Sequence, residues 1–357
     1  MKKLLLIGFM LCLCLALAAC TATDSGNLFD ADTQLDGIVP SVILADESYQ
    51  YGNMQKSIDG QFLRLDNEVL FCFIPEGGNL RLYSYNLTTG KVRLYCGDAT
   101  CKHSSCAAGS ISAGLEVYQG KLYALNKDRQ VVEIEGGDLK PITKGQVGDF
   151  FHHDGKMYIL TKSDRSLAVM EEDGDTVTTI VEEYTGTWTV IFGNYLYATT
   201  LSQNIIRVDL TADVPEEEVL VANACGMTDG QHIYYADRKT WFLYRCNMDG
   251  SDARLLVERE VLLASINFDN EYFYYRLNTR PTGSGADSYD IYRFPKSDPS
   301  KIEKFATLPV PVYQVYTVSG ANILFVSTFE RSNGEQGDIY VMGTDGSNII
   351  RLEIPEY

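Results

Sequence analysis

A short strand-rich unit, repeated along the chain, constrains the fold more than any other feature. It is clearest between Gly230 and Glu258, where the sequence reads GQHIYYADRKTWFLYRCNMDGSDARLLVE. Residues 232–237 (HIYYAD), 242–248 (FLYRCNM) and 253–258 (ARLLVE) are rich in aromatic and β-branched types, which predicts three strands. Asp249-Gly250-Ser251 supplies a tight hairpin, because glycine accepts the positive φ that such turns need. Ala224 to Thr228 adds a fourth apolar run just upstream. Four antiparallel strands thus fall within roughly 35 residues.

The second strand of this unit recurs at 66–73 (DNEVLFCF), 120–125 (GKLYAL), 155–160 (GKMYIL), 193–200 (GNYLYATT), 270–277 (NEYFYYRL) and 320–327 (GANILFVS). Successive starts are 54, 35, 38, 37, 40 and 50 residues apart. The first long interval holds the cysteine-rich loop 96–109, and the last holds 281–288 and the proline-rich 309–311. A third strand recurs at 80–87, 131–135, 167–171, 205–210, 242–248, 290–295 and 338–344, usually followed by a turn such as Gly136-Gly137 or Asp345-Gly346. No window of 12 or more residues after Cys20 has a helical period. A single unit cannot bury both faces of its sheet, whereas stacking units around an axis can, and 23 tyrosines and 15 phenylalanines supply the packing. A sandwich does not explain a repeat near 40 residues. The expected fold is therefore all-β: a β-propeller of four-stranded antiparallel blades over residues 57–357, seven-bladed, with six or eight as the counting alternatives. Residues 40–56 are read as an outer strand closing the ring.

Residues 1–19 read as a signal peptide, with Lys2 and Lys3 ahead of an apolar run from Leu4 to Ala19. That run of 16 residues is short for a spanning helix. Leu17-Ala18-Ala19-Cys20 resembles a bacterial lipobox, which makes Cys20 the expected lipidation site and residues 20–56 a tether. The expected location is the extracytoplasmic face of the cell membrane. Thirty Lys+Arg face 48 Asp+Glu, and loss of the signal peptide leaves 28 against 48, a balance of −20. Such acidity argues against nucleic acid as a partner. It leaves membrane lipid through Cys20 and an extracellular ligand or protein as the expected partners.

Tyr244-Arg245 ahead of Asp249-Gly250, and Tyr292-Arg293, repeat an aromatic–arginine–turn pattern. This pattern resembles TolB-like and low-density-lipoprotein-receptor-type propellers. With Leu17 to Cys20, the chain resembles a family of bacterial propeller lipoproteins, which implies binding or scaffolding and carries over no catalytic residue. Cysteine–histidine inserts similar to the one in residues 96–106 also occur in that family, often with proline where this chain has Ala99.

Cys96, Cys101, His103 and Cys106 fall within 11 residues. Three thiols and an imidazole suit tetrahedral zinc, and four ligands would close a structural site. A disulfide within the loop and free thiols are the alternative readings. Cys225 and Cys246 fall on the first and third strands of one blade, too far apart to bridge, and are read as buried small hydrophobes. His152, His153 and His232 have no nucleophile elbow or metal helix beside them and are read as structural or surface groups. The connections between second and third strands are repeatedly basic: Lys127 and Arg129, Lys162 and Arg165, Arg238 and Lys239, Arg280, then Arg331. In a propeller these connections share one end of the ring, which makes them candidates for binding an anionic glycan or peptide. The alternative function is an extracytoplasmic glycan hydrolase or lyase with its site at the central channel, which needs two carboxylates about 5–9.5 Å apart.

Overall fold

The computed structural model describes residues 62–74, 79–96, 101–103, 106–161, 165–171, 174–212, 214–262, 266–269, 271–278, 289–318, 321–328 and 337–355. Residues 40–56, read above as a closing strand, lie outside these. Seven four-stranded antiparallel sheets form the blades of a β-propeller, each sheet made of four consecutive strands. Blade 1 holds β1 (Leu63–Leu65), β2 (Glu68–Phe73), β3 (Arg81–Asn86) and β4 (Val92–Leu94). Blade 2 holds β5 (Ile111–Tyr118), β6 (Lys121–Asn126), β7 (Val131–Glu135) and β8 (Asp138–Pro141). Blade 3 holds β9 (Val147–His153), β10 (Lys156–Thr161), β11 (Leu167–Met170) and β12 (Val177–Val181). Blade 4 holds β13 (Tyr184–Phe192), β14 (Tyr195–Thr200), β15 (Ile205–Asp209) and β16 (Glu217–Val221). Blade 5 holds β17 (Ala224–Thr228), β18 (His232–Asp237), β19 (Leu243–Asn247) and β20 (Arg254–Val257). Blade 6 holds β21 (Asn267–Phe268), β22 (Tyr272–Tyr275), β23 (Asp290–Pro295) and β24 (Glu303–Thr307). Blade 7 holds β25 (Val312–Thr317), β26 (Ile323–Thr328), β27 (Ile339–Gly343) and β28 (Ile350–Arg351). Among the described residues the one helix is α1 (Ala107–Ser110).

Burial explains why the second strands are apolar throughout. Neighbouring blades cover both faces of these strands, and every residue of β2 is buried. The fourth strands form the rim, and β12 is mostly exposed. The glycine that opens several second strands belongs to a two-residue hairpin. Gln119 and Gly120 have φ of 46° and 78°, and Asp154 and Gly155 have 47° and 74°, the paired positive values that match the twist of the flanking strands.

The turns between second and third strands bind neighbouring blades through their backbones. One residue in each of four turns is left-handed: Arg129, Arg165, Gln203 and Trp241, with φ of 62°, 58°, 63° and 60°. Its carbonyl accepts the amide of Val147, Tyr184, Ala224 or Val261, each at or beside the start of the next blade, at 2.7–2.8 Å. The aromatic–arginine motif also has a structural role. Arg207, Arg245 and Arg293 lie directly opposite Tyr197, Tyr234 and Tyr274 on the adjoining strand. Arg293 stacks on Tyr272 and Phe305 and donates to the Thr344 carbonyl of the following blade.

Blades 1 and 7 meet through side chains, with no strand shared among the described residues. Phe62 stacks on Phe325 (4.4 Å between centroids) and on Phe71 (5.3 Å), and Tyr85 meets Phe325 edge-on. Val69, Phe71, Tyr83, Tyr316, Phe325 and Val341 form one buried cluster across this seam.

Candidate metal centre

Cys96 follows β4, the last strand of blade 1, and the chain then reaches α1 and β5 of blade 2. This connection brings together all four expected ligands. One donor atom from each of Cys96, Cys101, His103 and Cys106 lies within 4.8 Å of every other. Cys106 Sγ is 3.6 Å from His103 Nδ1, and the His103 amide donates to Cys101 Sγ at 3.3 Å. Thiolates sharing a tetrahedral ion at about 2.3 Å stand about 3.8 Å apart, so the spacing and the donor set fit a metal ion. The cluster could hold one. None of the six described cysteines is bridged.

The scaffold around these donors is specific. His103 is buried and takes a left-handed φ of 54°. Its carbonyl accepts from Arg81 Nη1 at 2.8 Å, which ties the loop to β3. Gly109 packs against the His103 backbone so closely that no Cβ fits. Cys96 and Ala108 join the seam cluster, with Cys101 and Cys106 packed against it. Hydrogen bonds from Cys96, His103 and Cys101, with the Gly109 amide, pull the Cys106 thiol down to about 4 despite partial burial. Burial pushes Cys101 up. The Cys106 thiolate, the form that binds a metal, is thus favoured by its surroundings. By contrast, burial raises Cys72 to about 12, and burial with the nearby Asp249 carboxylate raises Cys246 to about 11, as expected of inert core thiols.

The expected ligand-binding cations are placed unequally. Cys20, Lys162, Arg280 and Arg331 lie outside the described residues. Lys127, Arg165 and Lys239 are exposed at the turns between second and third strands. Arg129 is committed to structure: its guanidinium donates to the carbonyls of Val147 and Gly148. Arg238 stacks on Trp241 and donates to Gln203. Among the described residues the corresponding turn of blade 4, Leu201 to Gln203, carries no cation, so the basic character is not common to every blade.

One expectation is corrected and one role was missed. Cys225 lies on β17, two strands from Cys246 as expected, but it is partly exposed rather than buried. His152 is a buried link between blades. Glu116 of β5 accepts from its amide at 2.7 Å and contacts its Nδ1 at 2.8 Å, while Tyr118 stacks on the ring. Asn267 and Thr317 pair similarly between blades 6 and 7, at 3.1 Å. A Glu two residues before the end of one first strand and a His one residue before the end of the next was the available signal.

No family model and no curated protein sequence matches the chain. Solved structures do. A puromycin-hydrolysing peptidase of Mycobacterium tuberculosis aligns at 9% identity with a TM-score of 0.57, covering 89% of this chain and 57% of that one. The β-propeller domain of Cps50 (Swd1) from Myceliophteria thermophila aligns at 10% identity and 0.50, covering 70% and 89%. At these identities the likeness shows the fold alone. Fold and site together define a seven-bladed β-propeller with a three-cysteine, one-histidine cluster at the join between its first two blades.

Proposed function

We propose that this chain is a lipid-anchored, extracytoplasmic binding module that takes an anionic ligand at the turn end of the ring, and that its cysteine–histidine cluster is a structural zinc site. The observation that carries the binding reading is a contrast in pairing. Arginines on the outer strands sit in ion pairs, as in Arg93–Glu68, Arg207–Glu218, Arg293–Glu303 and Arg351–Asp338. Lys127, Arg165, Arg238 and Lys239 are in no ion pair among the described residues. Asp237, beside two of them, uses its carboxylate to cap its own turn through the Lys239 and Thr240 amides. Unneutralised cations on a chain of formal charge −18 favour an anion. Membrane attachment rests on Leu17-Ala18-Ala19-Cys20, and zinc rests on the donor set.

Three experiments test this. Titrating the full chain with polyglutamate and polygalacturonate at low and high salt should show binding that weakens with salt and is lost on changing Lys127, Arg165 and Arg238 together to Ser. Unchanged affinity in that variant would refute the ligand face. Fractionation with labelled fatty acid should find Cys20→Ser unlabelled and released. Elemental analysis of reduced protein should find about one zinc, and none would remove the metal assignment.

A further inference from the structure

The turns of blades 4 and 5 carry more than scattered charge. Arg238 follows β18, and its guanidinium lies over the Trp241 ring, 4.1 Å from the centroid. Its Nε donates at 2.9 Å to Oε1 of Gln203 in the corresponding turn of the preceding blade. These contacts fix both the plane and the rotation of the guanidinium. They leave the Nη1–Nη2 edge without an acceptor among the described residues. Among the described residues Gln203 uses only its side-chain oxygen, so its NH2 group is a third donor beside that edge. Trp241 is held at φ 60°, a strained value for a bulky residue, by the bond from the Val261 amide to its carbonyl. Burial lowers the Arg238 pKa, outweighing the opposing effect of Cys225.

We propose that Arg238, Gln203 and Trp241 form a subsite for the carboxylate of a uronic-acid-bearing glycan. The inference rests on the anion-binding reading of the turn end and names its ligand class. A flat edge of two parallel donors matches a carboxylate bidentately. A peptide bound by main-chain pairing needs free backbone groups. Here they are already used: Gln203 O accepts from Ala224, Trp241 O from Val261, Arg238 N donates to Asn223 O, and Trp241 N to Asp237 O. What the surroundings offer instead is side-chain hydroxyl, amide and ammonium groups, from exposed Ser202, Asn223, Lys239 and Thr240. Those groups suit sugar hydroxyls.

The test is calorimetric titration of the full chain with trigalacturonate, a neutral galactose trimer and triglutamate. Tryptophan fluorescence can follow it, since the chain has two tryptophans and one is Trp241. Trigalacturonate should bind at least about tenfold more tightly than the neutral trimer. Arg238→Gln should lose about tenfold or more, since a hydrogen bond to a charged group is worth that much. Arg238→Lys should not restore it, because a point charge cannot make the bidentate contact. All variants should melt with the parent. Equal affinity in Arg238→Gln, or a preference for triglutamate, overturns the subsite. If trigalacturonate binding survives Arg238→Gln but is lost when Lys127 and Arg165 become Ser, the subsite is wrong and the wider anion face stands. If the parent binds none of the three probes, the subsite is likewise refuted.

Discussion

Gly109→Ala should weaken metal binding at the cysteine–histidine cluster while leaving the propeller folded. An added Cβ would lie 2.5 Å from the His103 carbonyl carbon, closer still to its oxygen, and 2.8 Å from Arg81 Nη1. Real Cβ contacts do not fall under 3.0 Å, so the His103 backbone must retreat by at least about 0.5 Å. Metal–ligand distances tolerate about 0.2 Å. The retreat also pulls the His103 carbonyl away from Arg81, the bond that holds the loop to β3. Losing an outer support of this kind lowers metal affinity by about 10–100-fold, and displacing the ligand itself should put the loss at the upper end. The assay is competition for zinc against a chromophoric chelator, with circular dichroism and melting as fold controls. Gly145→Ala is the matched control, since nothing lies within 4 Å of its added Cβ. A Gly109→Ala protein that holds zinc as tightly as the parent would refute this account of the loop.

Two further outcomes follow from the blades. Phe325→Ala removes a fully buried ring that meets Phe62 and Tyr85 at the seam, and should cost about 3–5 kcal/mol, or roughly 5–8 °C in melting temperature by calorimetry; a shift under about 2 °C would contradict the seam packing. Asp209, Asp249, Asp298 and Asp345 cap equivalent turns by accepting from a Ser or Thr hydroxyl and amide, which holds each carboxyl below the ordinary 3.8. With folded values below unfolded ones, their contribution is complete above 3.8 and is lost as pH falls through the folded values. Melting temperature should therefore hold from pH 7 to 5 and fall below pH 4, less steeply in a variant with all four changed to Asn.

The strands were legible because each blade repeats the same physical demand. A second strand covered on both faces must be apolar, and a two-residue hairpin needs glycine, so aromatic runs opened by glycine mark it wherever it falls. Residues 131–135 and 224–228 match their strands to the residue. The four donors between Cys96 and Cys106 were legible for a different reason, namely that they are close in sequence. Contacts between blades were not. Glu116 and His152 are 36 residues apart, and Gln203 and Arg238 are 35 apart. Which of several similar polar residues meets its counterpart depends on the angle between blades, which local pattern does not carry. The repeated basic turns show the same limit: Arg129 and Arg238 both sit in second-to-third-strand turns, yet one is spent on backbone carbonyls and the other stacks on Trp241 and donates to Gln203.

The cysteine–histidine cluster lies beside the seam that closes this ring. Blades 1 and 7 share no strand among the described residues, so the seam lacks the backbone hydrogen bonds that hold each blade together. Aromatic packing around Phe62, Phe71 and Phe325 is what joins them. Cys96 and Ala108 belong to that same buried cluster, and Cys101 and Cys106 pack on it. An ion gripping the loop would therefore order side chains that also line the seam, and the two should be energetically linked. Cys106→Ser and Phe325→Ala should be non-additive in the zinc-loaded protein, with an interaction energy above about 0.5 kcal/mol, because residues sharing one packed cluster couple while distant ones add. In chelator the coupling should shrink, since the loop then no longer transmits its constraint. Replacing Phe325→Ala by Phe273→Ala supplies the comparison: that ring is equally buried but packs on Tyr234 and Phe294 between blades 5 and 6. Its effect should add to that of Cys106→Ser with or without zinc. Equal coupling at both positions, or none at either, would mean that the metal loop orders only itself and has no part in closing the ring.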